Sequence, residues 1–444
     1  MSAALDYQTP NLSAPGRGAR RALLLLLLIN LFNYIDRYMM GAVEVPIQEH
    51  FFPTHPKYAE FRMGLLQTGF IVCYMVCAPL FGWLADRKSR WAIVGFSVIL
   101  WSLATGGSGL AAMFGGFTLL LVMRILVGVG EAGYGPTAPT LISDYYPVSR
   151  RGAMMAWFYM AIPLGAALGY IIGGAMAQHF GWPSAFYAVL VPGLILGAIC
   201  FLMKEPARGQ FDEAAAGAAG HMPVRRAALA DYLVLFRTPS YVLVTAGMAA
   251  MTFAVSGIAY WLPRYIVTIR HGGTLASANF KIGAITAACG IFGTLLGGAL
   301  GDWLRRWFSS SYFLLSGIAM IIAAPFIIFM LHSTFPMVWV CIGIAEFFLF
   351  LNTGPTNTIL ANVAHPSVRA TGFALNIFII HIFGDALATP LLGRIGAYSW
   401  DAAFIMVATV MALAGVLWLW GCSYLQRDTE LAPRRLGAAA EPQA

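Results

Sequence analysis

Gly82-Trp83-Leu84-Ala85-Asp86-Arg87-Lys88-Ser89-Arg90 returns 216 positions later as Gly298-Ala299-Leu300-Gly301-Asp302-Trp303-Leu304-Arg305-Arg306. Each copy closes an apolar stretch long enough to cross a bilayer and ends in basic residues. A second pair keeps nearly the same offset: Gly135-Pro136-Thr137 recurs as Gly354-Pro355-Thr356, 219 positions on. The chain therefore reads as an internal repeat. A repeat of this kind predicts two six-helix halves related by a pseudo-two-fold axis along the membrane normal, with a binding site at the midplane between them.

Composition leads to the same class. Of the 444 residues, 59% are hydrophobic and only 10% charged, too few charges to cover the surface of a soluble protein of this length. Hydropathy predicts twelve spanning helices, at 22–46, 62–84, 91–111, 117–143, 152–177, 184–203, 240–264, 280–301, 310–331, 336–361, 371–393 and 401–424. The expected organisation is an all-α membrane protein with an N-terminal tail (1–21), a first half (22–203), a hydrophilic linker (204–239), a second half (240–424) and a Pro- and Ala-rich C-terminal tail (425–444), expected to be disordered. The linker is expected to hold a short amphipathic helix at Ala227–Arg237.

Nineteen of the 27 Lys and Arg fall in the tails and even-to-odd loops, which puts both termini in the cytoplasm, at the cell (inner) membrane. The net charge of +8 is this topological signal plus attraction to anionic lipid, and it does not point to nucleic acid. The six cysteines sit in apolar segments as packing residues. No nucleophile, base and orienting group occur together and no metal spacing appears, so neither an enzyme nor a metal or cofactor is expected.

Charges inside the spans mark the candidate site. Arg124-Ile125-Leu126-Val127-Gly128-Val129-Gly130-Glu131 lies in the fourth helix. Its two charged ends fall on one face about 10 Å apart along the axis, and Gly128 and Gly130 thin the helix between them. Asn33-Tyr34-Ile35-Asp36-Arg37-Tyr38 lies in the first helix, where adjacent residues point about 100° apart, so Asp36 and Arg37 cannot both face lipid. Ionisable groups at this depth line substrate or proton paths, or else fix helix packing as ion pairs. The second half carries Glu346 and Asn352 in the tenth helix and His381 and Asp385 in the eleventh, the last two at i and i+4 on one face.

Gly-x-x-x-Asp-Arg-x-x-Arg, at Gly82 to Arg90 in its first copy, resembles the loop motif of the major facilitator superfamily, and the likeness covers nearly the whole chain. That resemblance implies a cytoplasmic gate built from Asp86, Arg87 and Arg90 with their counterparts Asp302 and Arg306. A carboxylate there would engage a helix N-terminus or an arginine across the halves when the carrier faces outward. The glycine series Gly165, Gly169, Gly173 and Gly174 is similar to the antiporter motif of the superfamily, but Tyr170 stands where that motif has proline, and close helix packing is the simpler reading.

Three stretches together are similar to the spinster family of lipid transporters: Asn33 to Tyr38, Gly128 to Tyr134 leading into Ala138 to Asp144, and His381-Ile382-Phe383-Gly384-Asp385-Ala386. The resemblance implies proton-coupled movement, by a carrier acting as a monomer, of amphiphilic anionic lipids such as lysophospholipids or sphingosine-1-phosphate-like molecules. Asp36, Glu131 and Arg124 are then the expected proton-coupling residues, with Arg124 the switch between the carboxylates and substrate. Arg37, Arg124, Tyr34, Asn33, Asn352 and His381 are the expected substrate contacts. A sugar-acid or other organic-anion symporter and a multidrug exporter share the scaffold and stay open as alternatives. The first of these would need a small, closed polar pocket.

Overall fold

The computed structural model describes residues 16, 18–54, 56–85, 87–207, 229–364 and 368–432. Twelve helices in it are long and apolar enough to cross a membrane: α1 (Ala19–Ala42), α2 (Ala59–Ala85), α3 (Arg90–Leu110), α4 (Gly116–Tyr145), α5 (Trp157–Phe180), α6 (Trp182–Cys200), α7 (Pro239–Ile269), α8 (Leu275–Leu304), α9 (Ser311–His332), α10 (Met337–Val363), α11 (Gly372–Gly396) and α12 (Trp400–Gly421). With twelve spans the start of α1 and the end of α12 lie at one end of the bundle, here the tail end, and the other is the far end. Within each half the same partners recur. In the first half α1 packs on α5, α2 on α4 and α3 on α6; in the second, α7 packs on α11, α8 on α10 and α9 on α12.

The repeat read in the sequence appears as matching helix breaks. α4 is interrupted between Tyr134 and Thr137, and α10 between Leu351 and Thr353, so the two Gly-Pro-Thr stretches mark equivalent bends. Proline lacks the N–H for an intrahelical bond and crowds the preceding turn, which bends the helix there.

Two expectations are corrected. α1 stops at Ala42 instead of running to 46, and a separate helix, Glu44–Phe51, follows it. In the linker the helix expected at 227–237 is described over Leu229–Phe236; residues 208–228 lie outside the described residues. The start of the C-terminal tail, expected to be disordered, is a helix, Leu425–Leu431. The Asp428 carboxylate accepts a 2.8 Å bond from the Ser240 amide in the first turn of α7, while Leu425 is buried. An anion at a helix N-terminus satisfies an otherwise unpaired amide and the positive end of the dipole, which ties this segment down.

Two seams join the halves, α5 against α8 and α2 against α11, with α1 meeting α7 between them. Backbones touch along these seams in the far part of the bundle. A Cβ on Gly64 would stand 2.5 Å from the Pro390 Cα, and one on Gly41 2.8 Å from the Ala259 carbonyl oxygen. Hydroxyls add to the seal: Thr389 donates to the Gly64 carbonyl (3.1 Å), Thr68 to that of Ala386 (2.9 Å), and Tyr260 to that of Met63 (2.7 Å). Toward the tail end the walls part. Gly82 on α2 and Gly298 on α8 have open space where a Cβ would be, and Leu80 is 65% exposed. The molecule is thus closed at the far end and open at the tail end.

Inside the second half, α8 and α10 meet at Gly297, where a Cβ would lie 1.7 Å from the Leu351 carbonyl oxygen. Gly297→Ala is expected to destabilise the carrier by about 1–3 kcal/mol, because backbone cannot move aside as a side chain can. Thermal unfolding in detergent checks this, and an unchanged midpoint would mean that the two helices separate freely.

Candidate functional site

Asp36, Arg37, Arg124 and Glu131 form two crossed pairs between α1 and α4. Asp36 takes a 3.2 Å bond from Arg124 Nη1, and the Thr105 hydroxyl of α3 donates to its other oxygen. Arg37 Nε donates to Glu131 at 2.7 Å. Helical geometry makes this pairing natural, because neighbours on α1 meet partners about two turns apart on α4. The glycines in between bring the helices in: a Cβ on Gly128 would stand 2.2 Å from the Phe70 carbonyl oxygen, and one on Gly130 2.8 Å from Trp101. Gly165 and Gly169 of α5 likewise press on the backbone of α1 at Leu31 and Ile35, fixing the turn that carries both charges.

The two guanidinium groups have different surroundings. Arg124 is 0% exposed and lies against the Phe70 ring, so it does not front the cavity where a substrate contact was expected. The physical reason is that Phe70, drawn in over Gly128, lies on it. Arg37, by contrast, reaches the cavity with its guanidinium 5.0–5.3 Å from the ring centres of Tyr34, Phe70 and Tyr74. Such an aromatic surround holds a cation without neutralising it. Arg124 Nε and Nη2, Glu131 Oε1 and Asn33 Nδ2 are buried with no hydrogen-bond partner among the described residues. Sites of this kind are where buried water or a transferred proton is accommodated.

The cavity lies between the halves and measures about 640 Å³ including its mouth, with Tyr34, Arg37 and Gln67 on one wall and Ser256, Tyr260 and Asp385 on the other. It shares Tyr38, Val255 and Ala259 with a second space of about 320 Å³ that ends at Thr286 and Glu346. Glu346 is buried, and its carboxylate is held by the Thr286 hydroxyl at 2.9 Å. It was legible in the sequence as a charge in an apolar helix, but nothing in its local pattern assigned it to the cavity.

From the second half, His381 and Asp385 are joined by a 2.5 Å hydrogen bond, and the Ser256 hydroxyl also donates to Asp385. The stretch His381–Asp385 is a single π-helical turn, a wider coil that often marks functional positions. His381 also meets Tyr74 edge to face across the halves. Asn352 is a correction. It is 0% exposed and donates to the Phe348 carbonyl and toward the Met320 sulfur, so it packs α10 on α9 and does not reach the cavity.

Among the expected gate residues, Asp86 lies outside the described residues. Arg90 is bound within the first half, to Asp144 (2.5 Å) and Glu205 (2.7 Å), while Arg87 lies on the Trp83 ring and bonds its carbonyl. Asp302 accepts from the Tyr312 hydroxyl inside the second half, and Arg306 is exposed. These contacts stay within their own halves, as an open tail end requires.

The sequence profile of the Major Facilitator Superfamily matches residues 26–384. Protein spinster homolog 3 of Danio rerio is 32% identical, over 96% of this chain and 90% of that protein. Sphingosine-1-phosphate transporter SPNS2 of Mus musculus is 35% identical, over 84% of this chain and 68% of that one. Among solved structures, a bacterial homolog of human lysosomal transporter spinster, in an inward-facing and unoccupied conformation, matches with a TM-score of 0.76 at 22% identity, over 94% of this chain and 98% of that one. At that identity the match speaks for the fold.

Proposed function

The chain belongs to the spinster family within the major facilitator superfamily, a multi-pass membrane transporter and not an enzyme, and from that premise we propose that it moves single-chain phosphate-bearing amphiphiles by proton-coupled alternating access. One observation carries the substrate class: a cavity-facing guanidinium, Arg37, and a buried carboxylate, Glu346, lie on opposite halves and line two neighbouring spaces that share Tyr38, Val255 and Ala259. A head group with a phosphate and an ammonium satisfies both, the phosphate by charge-assisted bonds to Arg37 and the ammonium by Glu346. Sphingosine-1-phosphate, named for the mouse relative, has this chemistry. The tail would lie along the apolar walls toward the open end. One chain supplies both walls, which suits a monomer.

The coupling follows from the crossed pairs. Phosphate competes with Glu131 for Arg37, and a carboxylate left without its cation in a dry site is stabilised by taking a proton. Asp36, held by Arg124 behind the Phe70 ring, is the second proton carrier. Arg124 then acts by keeping Asp36 in place, and Arg37 takes over the role of switch. Tyr34 lines the head-group site, His381 acts on it through its bond to Asp385, and Asn33 neighbours Glu131. The basic residues gathered at the tail end support placing that end on the cytoplasmic side of the cell (inner) membrane.

Purified carrier in liposomes tests the reading. Single-chain lipids bearing phosphate and amine are expected to compete with one another and to move faster under a pH gradient, whereas hexuronates and aldonates leave transport unchanged. Glu346→Gln is expected to weaken amine-bearing lipids by about tenfold and amine-free lysophosphatidate much less. Saturable, proton-driven uptake of a sugar acid without any response to lysolipid would replace the lipid reading with the organic-anion one.

A further inference from the structure

At the sealed far end, beyond the proposed transport site, a third group of buried charges joins the two halves. Arg264, near the far end of α7, donates from Nη1 to both oxygens of Glu44 (3.2 and 3.3 Å) and from Nη2 to Glu60 at 3.3 Å. Glu44 begins the short helix after α1, and Glu60 lies in the first turn of α2, so one second-half guanidinium grips two segments of the first half. All three residues are at most 8% exposed. Gln48 donates to Glu60 at 3.2 Å, while the Gln48 side-chain oxygen and Arg264 Nε are buried without hydrogen-bond partners among the described residues.

We propose that Arg264, held between Glu44 and Glu60, is the outer latch of the transport cycle, closing the far side while the cavity faces the tail end. The proposal rests on the alternating-access reading above. The bonds cross the seam at the end that must open for substrate to leave or enter there, and they bridge elements that move with opposite halves. Buried charges have two stable arrangements, paired or hydrated, so their separation gives a discrete switch and not a gradual loosening.

The stoichiometry adds a pH response. Two carboxylates face one guanidinium, so the closed cluster holds one excess negative charge. Burial pushes the Glu44 carboxyl up from the ordinary carboxylate range, against the pull of Arg264, and Glu60 and Glu49 push it further. The titratable and charged groups facing it are Arg264 and Tyr260 from α7, Glu60 from α2, and Glu49 on its own helix. A carboxylate raised in the closed form favours closure at low pH, and that contribution is lost as pH rises through its closed-state value. One carboxylate is therefore dispensable for closure, but the guanidinium is not while both carboxylates remain.

Spin labels at Thr54 and Tyr398, both exposed at the far end of opposite halves, report the gap in nanodiscs without substrate or gradient. Arg264→Gln is expected to raise the long-distance population by about tenfold or more, since two bare carboxylates then repel in the seam. Glu44→Gln is expected to stay closed and to lose the wild-type pH response. The neutral triple variant R264Q/E44Q/E60Q is expected to return to the short distance, which separates electrostatics from misfolding. Unchanged distances in Arg264→Gln, or a triple variant as displaced as the single one, would overturn the latch. Because no substrate is added, these distances stand whatever the substrate proves to be, and failure of the lipid reading would show only in the liposome assay.

Discussion

Arg124→Leu is expected to lower the stability of the folded carrier by about 3–5 kcal/mol, the usual cost of leaving a buried charge without its partner. Asp36 is 2% exposed, and its remaining contact is the Thr105 hydroxyl, which cannot offset a full charge. Adding Asp36→Leu removes the stranded anion and is expected to restore most of the lost stability, because an apolar pair of similar volume often replaces a buried ion pair without loss. Transport is expected to stay absent in the double variant. Thermal unfolding in detergent together with liposome uptake distinguishes the two effects. If the double variant were as unstable as the single one, Arg124 would act through packing against Phe70 and not through its charge.

Arg37→Lys is expected to reduce transport by about a hundredfold while leaving the protein folded. A lysine keeps the charge but not the planar fork, so it cannot hold Glu131 through Nε, lie against the rings of Tyr34 and Phe70, and offer two parallel donors to phosphate. The loss corresponds to about 2.7 kcal/mol, within reach of two charge-assisted hydrogen bonds. Glu131→Gln is expected to separate the steps: proton-driven accumulation is lost, while exchange of lipid at equal pH survives, because the amide still fills the site but carries no proton. Wild-type uptake in the lysine variant would reduce Arg37 to a point charge. An intact pH response in Glu131→Gln would leave proton coupling to Asp36.

Much of this protein is written locally in its sequence. A run of about twenty apolar residues must become a helix in a bilayer, since no water is present to satisfy its backbone, so twelve spans can be read without knowing their neighbours. The repeats at Asp86 and Asp302, and at Pro136 and Pro355, preserve register along one chain and announce two equivalent halves. The costly charges Asp36, Arg37, Arg124 and Glu131 stand out by their apolar surroundings alone.

Their partners do not. Two cations and two anions on α1 and α4 admit more than one pairing, and which guanidinium faces the cavity depends on Gly128 letting Phe70 close over Arg124. Asn352 looks like a cavity residue by composition, yet helix rotation turns it toward Met320, and Glu346 is turned the other way by the same geometry. The end of α1 at Ala42 and the Glu44–Arg264 contact join residues 220 positions apart, and no local pattern encodes that distance. Hydropathy and spacing are properties of neighbours along the chain and determined the fold class, the repeat and the charged positions. Pairing, exposure and the closed far end depend on how helices rotate and cross when packed, and only the tertiary structure decided them.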